Sequence, residues 1–265
     1  MYNATYTENK LLTIFWRGSV TSRAYYLGGN YMIGFGKYTK KAEPVITSLT
    51  DNRLVQINPQ EDGFFDAVIN FKSTNSNINA FIEAISEVKL AMLEPFYKPI
   101  YDPSKVGNII AYQKGRKPAV GYSYKWWVNT ASKMPAVDGR HWHLATEYQY
   151  YAFLVWLINQ LVKGGKSVDI AIKMVVLDSK ELGHYHDSEN TSEDHLEYTG
   201  SRCVCGVYDL ANTYKILSCS NKEAGGFWLG GGYCGSNGYD DPLAELDFFT
   251  FVDKDDYVSV GLLVL

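Results

Sequence analysis

The segment GHYHDSENTSEDH (183–195) places His184, His186 and His195 beside Asp187, Glu189, Glu193 and Asp194. Imidazoles and carboxylates at such short spacing are the donors that hold a transition metal or calcium. None of the established ligand spacings is reproduced, so a solvated acidic loop is the simpler reading, and no metal is expected. Upstream, Arg140, His141 and His143 surround Trp142. Their alternation sends some of them inward, which points to a histidine held by structural hydrogen bonds rather than one doing catalysis. No serine, histidine and acid can be arranged as a triad, and no G-x-S-x-G is present. GGKS (164–167) imitates the end of a phosphate-binding loop. That loop needs a glycine where Gln160 stands and a strand before it, whereas a helical pattern precedes this one. The four cysteines, Cys203, Cys205, Cys219 and Cys234, fall in the last quarter of the chain. C-x-C is a poor zinc spacing, and buried free thiols are the expected state in a reducing compartment, with a metal or disulfide the minority reading. No cofactor is expected.

The stretch GGFWLGGGYCGSNGYDD (225–241) mixes glycine, aromatics and acids. Aromatic anchors among Gly, Ser, Asn and Asp are the composition of antibody binding loops. Tyr233, Asn237, Tyr239, Asp240 and Asp241 are expected to point outward from a loop free to vary at its tip. With Trp228 and Tyr257 they would form a ligand-binding face. The alternative is a long hairpin connection with no ligand, since loops are polar and glycine-rich in any case. Residues 229–241 hold no Lys, Glu, Gln, Met or Trp, a pattern that mutagenesis confined to adenines of asparagine codons would leave.

The elements that must position these residues can be read in outline. A chain of 265 residues with 46% hydrophobic and 20% charged residues has the composition of a globular protein with room for one large domain or two small ones. Its 21 tyrosines suit half-buried strands and recognition surfaces alike. Net charge is −4 and no basic run was noted, so nucleic acid and anionic membrane are poor candidate partners. The opening MYNATYTENK lacks a charged n-region followed by an apolar run, so no secretory signal is read, and YYAFLVWLI is too short to span a bilayer.

LLTIFW (11–16), RAYYLGGNYMIGFG (23–36) and DAVINF (66–71) read as strands with hairpin punctuation. Ile78, Ile82, Ile85, Val88 and Met92 mark a helical face that Pro95 closes. FYKPIYDPSK (96–105) carries two prolines and reads as a linker, which divides residues 1–104 from 105–265. Beyond it a strand over 106–113 and a short helix over 126–134 are expected. A long, largely buried helix follows, with a T-x-x-Q capping box at Thr146 and Gln149 and a stop at Lys163-Gly164-Gly165. From 166 onward, VDIAIKMVVL included, strands and long loops are expected, and the chain closes in a strand, VSVGLLVL (258–265), that is expected to pair with the strand at 106–113 and close the domain on itself.

WHLATEYQYYAF (142–153), GVYDLANTYKI (206–216), GGFW (225–228) and VGLLVL (260–265) stand in the order and spacing of one family. They resemble the W-x-L-P-T-x-x-E-W-x-x-A, G-L-Y-D-M-x-G-N-V-W-E-W, G-G-S-W and closing G-F-R stretches of the formylglycine-generating-enzyme (sulfatase-modifying-factor) family. That family is a branch of the C-type lectin fold. TGSRCVCGVYDL (199–210) is most similar to its variants in phage structural proteins, including the variable proteins of diversity-generating retroelements. The resemblance implies an α+β fold, with a C-type-lectin-like domain over 105–265 and a β-rich attachment or oligomerisation domain with one helix over 1–104. It assigns structural roles to Trp142, Thr146, Gly206, Tyr208, Asp209, Gly225, Gly226 and Gly261, with Asp209 bonding local backbone amides. The family's copper-binding cysteine pair is not reproduced: Gly230 holds the first position and Cys234 falls one place short of the second. A lone thiol cannot form the paired site, so no enzymatic activity is expected. A phage tail or capsid protein is implied, made in a host cytoplasm and carried on the virion. Its partners would be a bacterial surface receptor, protein or glycan, or other virion proteins, with the chain forming a homo-oligomer.

Overall fold

The computed structural model describes residues 14–15, 24–25, 46–47, 52–57, 73–87, 96–106, 109–134, 136, 141–185, 196–220, 225–250 and 258–264. Strands β1 (Ile14–Phe15), β2 (Ala24–Tyr25), β3 (Ile46–Thr47) and β4 (Asn52–Ile57) come before helix α1 (Ser76–Glu87). Then follow β5 (Phe96–Pro99), β6 (Ser104–Val106), β7 (Ile109–Ala111), α2 (Tyr124–Ala131), β8 (Trp142–Leu144), α3 (Glu147–Lys163) and α4 (Val168–Val176). The rest is β: β9 (Cys203–Val204), β10 (Val207–Tyr208), β11 (Tyr214–Ser218), β12 (Phe227–Gly230), β13 (Leu246–Phe249), β14 (Val258–Val260) and β15 (Leu262–Val264). The fold is α+β, four helices and small sheets among the described residues.

Helix α3 is held at both ends by the chemistry its sequence promises. The Thr146 hydroxyl accepts from the Gln149 amide at 3.2 Å, and Gln149 Oε1 accepts from the Thr146 amide at 3.0 Å. Its C-terminus closes on Gly165, whose φ of 97° lets the amides of Gly165 and Lys166 reach the carbonyls of Val162 and Leu161, a Schellman closure. Between the caps, Ala152 through Asn159 are all buried. A helix apolar nearly all round must be central, and this one is the axis of the larger core cluster.

The segment VDIAIKMVVL is helix α4, not the expected strand. Val168, Ala171, Ile172, Val175 and Val176 are its buried residues, the i, i+3, i+4, i+7, i+8 spacing of one helical face. The Ser167 hydroxyl caps it by accepting the Ile170 amide at 3.3 Å. Its β-branched residues favour strands weakly, and burial of that face against α3 outweighs the preference. At about 1.5–3 kcal/mol per fully buried aliphatic side chain, the face far exceeds the few tenths per residue that separate valine from alanine in a helix.

The residues read as a linker are the middle of a sheet. β5 lies within a five-stranded sheet of order β3-β4-β5-β15-β8, with Phe96, Tyr97, Ile100 and Tyr101 buried. Pro99 is the last residue of its strand, where a missing N–H does least harm, and the sheet runs across the expected 104/105 boundary. The strand expected over 106–113 is instead half of a hairpin, β6 paired with β7. Helix α2 begins two residues earlier than expected, because Ser123 caps it by accepting the Trp126 amide. β1 and β2, antiparallel, fall within the first two strand expectations, whereas β4 was not anticipated. α1 starts at an Asn75 side chain that accepts the amides of Asn77 and Ile78. The strand expected over 66–71, and the helix end at Pro95, lie outside the described residues.

The closing strand serves two sheets. β14 runs parallel to β11 in the order β13-β12-β11-β14, while β15 joins β5 and β8. Gly261 makes the step between them: its amide donates to Ile216 O and its carbonyl accepts from the Ala145 amide. A Cβ there would stand 2.9 Å from a Leu217 methyl. The strand that closes the C-terminal half is therefore β5 at 96–99, not the expected one at 106–113.

Candidate functional site

The loop from Gly231 to Glu245 lies on the ends of α3 and α4, and its backbone groups bond inward. Leu243 and Ala244 donate their amides to Ser179 Oγ (2.9 Å) and Val175 O (3.1 Å). The Ser179 hydroxyl in turn donates to Met174 O at 2.9 Å. The loop thus satisfies carbonyls that the C-terminus of α4 leaves open. Tyr150 and Tyr185 donate their hydroxyls to Leu243 O (2.7 Å) and Asp241 O (2.8 Å). Gly238 is glycine because of close approach: a Cβ would stand 2.1 Å from the Lys180 nitrogen, and Gly238 O accepts the Ser179 amide. The glycines seat the loop and cradle no phosphate.

This arrangement corrects the expected outward set. Tyr239 is 73% exposed and Asp240 is exposed. Tyr233 is half-buried against Tyr214, with ring centroids 4.8 Å apart. Asp241 is occupied by the hydroxyls of Tyr214 (2.9 Å) and Ser236. Asn237 turns the chain, its Oδ1 accepting the amides of Tyr239 (2.9 Å) and Asp240 (2.8 Å). Trp228 is half-buried in β12, edge-on to Phe248. The loop is therefore not free to vary along its length; only the 239–240 tip is. Tyr257 lies outside the described residues.

At that tip Tyr239 and Asp240 border a groove of about 590 Å³. Its opposite wall is Asn77 and Phe81 of α1, and its floor includes Tyr151 and Leu177. Glu245 adds a second carboxylate, and no Lys, Arg or His is among the described lining residues. Partial burial, then Asp241, Asp247 and Asp240, push the Glu245 carboxyl upward. Burial pushes the Tyr151 phenol up to about 12, with Glu147 adding to it. No nucleophile and base face each other here. The groove offers ring faces and hydrogen-bond acceptors, which is the equipment of recognition. Nothing in the sequence marks Tyr151 or Phe81 as groove residues: each lies within a helical apolar pattern, and it is the packing of Phe81, buried, edge-on against half-buried Tyr151 that brings them together.

The structural set is better placed. Trp142 is buried and stacked on Tyr112, centroids 5.1 Å apart. Cys205 and Gly206 both have positive φ, 50° and 85°, as the two-residue turn between β9 and β10 requires. Tyr208 packs on Tyr101 at 4.9 Å. Gly225 has a φ of 66°, and a Cβ on Gly226 would strike the Phe248 ring. Asp209 accepts the Gly200 amide (2.7 Å), as expected, and also the Asp102 amide at 3.0 Å, 107 positions away in sequence.

Asp209 belongs to a buried charged cluster with Lys98, Asp102, Thr213 and Lys215. Lys215 Nζ donates to Asp102 Oδ2 at 2.6 Å and Thr213 Oγ1 donates to the same oxygen at 3.1 Å. Lys98 Nζ donates to Pro99 O at 3.0 Å and sits 4.6 Å above the Phe153 ring. Burial lowers Lys98 to about 8, and burial with the Asp102 charge raises Asp209 to about 7. Such values mark active sites when substrate can reach them. The cavity these groups line measures about 50 Å³, room for a few waters and no substrate, so the cluster is part of the scaffold.

The remaining chemical candidates also resolve into structure. Cys234 is fully buried and its thiol is raised to about 11 by that burial, so at neutral pH it is a protonated thiol. All four cysteines are free, but Cys203 and Cys205 are exposed and Cys219 half-buried, so only Cys234 fits the buried-thiol expectation. His143 Nδ1 contacts Leu144 O at 2.8 Å, and burial lowers its pKa. His184 is buried with Nε2 3.2 Å from Ser201 Oγ. His186, His195 and their acids, like Arg140, lie outside the described residues. Among the described residues no three His, Cys, Asp or Glu side chains gather as metal ligands, and no helix is long and apolar enough to cross a membrane.

No family model and no curated protein matches the chain. Among solved structures it is similar to the crystal structure of CarF, at 15% identity and a TM-score of 0.38, over 64% of this chain and 86% of that one. That likeness is too distant to assign a shared fold.

Proposed function

We propose that the protein is a non-enzymatic binding module on a C-type-lectin-like scaffold. In this reading it is a structural component of a phage particle, on tail or capsid, that grips a bacterial surface molecule through the Tyr239 groove. Strand β5 together with residues 105–265 would form the lectin-like domain, and the residues before β5 the attachment or oligomerisation part. The observation that carries the reading is Tyr239. It is a large ring 73% exposed on a loop otherwise stitched to two helices, at the rim of a groove of about 590 Å³. A tyrosine ring has only two side-chain torsions to fix, so burying it costs little conformational entropy, which is how aromatic anchors work at interfaces. The ordered motifs, and a C-terminal strand that returns to pair with β5 across the helices, support the scaffold.

The test is binding of the labelled whole chain to a panel of bacterial cells, beside Tyr239→Ala and Asp240→Ala. Binding that the two variants lose supports recognition through this groove. Binding that both retain, or none by any form, counts against it.

A purely architectural role is the second reading, and strand β13 favours it. It has one neighbour, β12, among the described residues, and it exposes Phe248 and Phe249. An edge strand with outward phenylalanines is a template for another chain. A Phe249→Lys variant that leaves particles and loses its oligomeric state, with cell binding absent in the parent, would favour this role.

A further inference from the structure

We propose that a second groove, between the β6–β7 hairpin and Tyr198, binds an oxyanion carried on a sugar ring: a phosphorylated or carboxylated saccharide. This inference stands apart from the Tyr239 groove. Lys105, Arg116 and Lys117 line a hollow of about 360 Å³ with Tyr122 and Tyr198, and among the described residues no carboxylate lines it. Lys114 is exposed on the same turn. None of these four cations is paired with a carboxylate among the described residues, where the ion pairs are Lys166–Glu181 and Lys215–Asp102. In a chain of net charge −4, Lys105 on β6 and Lys114, Arg116 and Lys117 on the turn after β7 are unneutralised cations that create a local positive field, which a bound anion relieves.

The site is built rather than merely charged. Gly115 and Arg116 donate their amides to Thr199 O (2.7 Å) and Oγ1 (3.0 Å), and the Thr199 amide returns a bond to Arg116 O at 2.8 Å. The turn is thereby fastened to a segment more than eighty positions away. Arg116 Nε donates to Gln113 Oε1 at 3.3 Å. Lys105 Nζ lies 5.6 Å over the Tyr122 ring, whose other neighbour is Trp126 at 3.9 Å. Gly115 has a φ of 75° and nothing within 4 Å of where its Cβ would be, so the space beside the turn is open.

The ring specificity comes from Tyr198, which is 54% exposed and offers an apolar face with a polar tip, suited to the C–H face of a pyranose. The hollow has the size of a small-ligand site.

The test is an amide chemical-shift titration of the whole chain with glucose 6-phosphate, galacturonate, glucose and inorganic phosphate. Glucose 6-phosphate and galacturonate are expected to shift Gly115, Arg116, Lys117 and Tyr198 saturably at millimolar concentration. Glucose should shift none of them, and inorganic phosphate should bind roughly tenfold more weakly for want of ring stacking. Arg116→Ala with Lys117→Ala should abolish all binding, and Tyr198→Ala should bring the sugar phosphate down to the level of inorganic phosphate. Lys125→Ala, exposed outside the groove, removes one charge and should change nothing. Equal binding of inorganic and sugar phosphate overturns the saccharide, and equal shifts with glucose overturn the oxyanion. Tighter binding of a short single-stranded oligonucleotide than of either sugar ligand overturns the class. Saturation by none of the probes overturns the site.

Discussion

Replacing Lys98 by methionine should stabilise the protein at neutral pH and change how its stability depends on pH. The Lys98 ammonium is enclosed by Pro99 O and the Phe153 ring, and burial lowers its pKa from 10.5 to about 8. The folded protein gives up this proton near pH 8, while the unfolded chain keeps it to about 10.5. Between those values the unfolded state binds more protons, so stability rises with pH. The cost of the buried charge is fully present below pH 8. At about 1.4 kcal/mol per pH unit it amounts to about 3 kcal/mol. Methionine fills a similar volume but loses the bond to Pro99 O, worth about 1 kcal/mol. Lys98→Met should therefore be more stable than the parent by about 2 kcal/mol at pH 7, and the two should be about equally stable at pH 10. Urea unfolding of both proteins at pH 7, 8, 9 and 10 measures the difference directly, and subtraction cancels the tyrosines that titrate at the alkaline end. A difference that stays constant from pH 7 to 10 would refute the buried ammonium.

On the acid side the sign reverses. Asp209 is raised to about 7 by burial and Asp102, so stability should fall as pH rises from about 4 to 7, and Asp209→Ala should flatten that limb of the unfolding profile. Thr146→Ala removes one half of the α3 capping box and should cost about 1 kcal/mol, read as a drop of a few degrees in melting temperature. Gly238→Ala drives a methyl group into the Lys180 backbone; a loss of about 1–3 kcal/mol is expected, and because the loop shifts, cell binding should weaken although Tyr239 is untouched. Tyr239→Ala, by contrast, should leave unfolding within about 0.5 kcal/mol of the parent, so any loss of binding is a loss of contact.

Local and periodic features are legible in the chain before it folds. The α3 caps lie within three residues of each other at one end and four at the other, and its apolar stripe needs no partner to be recognised. The same holds for the Cys205-Gly206 turn, the failure of GGKS as a phosphate loop, and the exposed tip at Tyr239 and Asp240. Tertiary structure decided whatever depends on a distant surface. VDIAIKMVVL reads as a strand until α3 supplies a face for its valines, and FYKP reads as a linker until β4 and β15 pair on either side of it. Tyr233 and Asp241 have the composition of a binding loop, yet Tyr214, nineteen and twenty-seven positions earlier, draws both inward. Net charge hid the basic groove, because charge summed over a chain says nothing of where cations meet. Lys105 reaches Arg116 and Lys117 only through a hairpin that Thr199 fastens from across the fold. Hydrogen bonds and packing that close large loops have no signature in neighbouring residues, since the entropy they overcome and the contacts they gain belong to the folded chain as a whole.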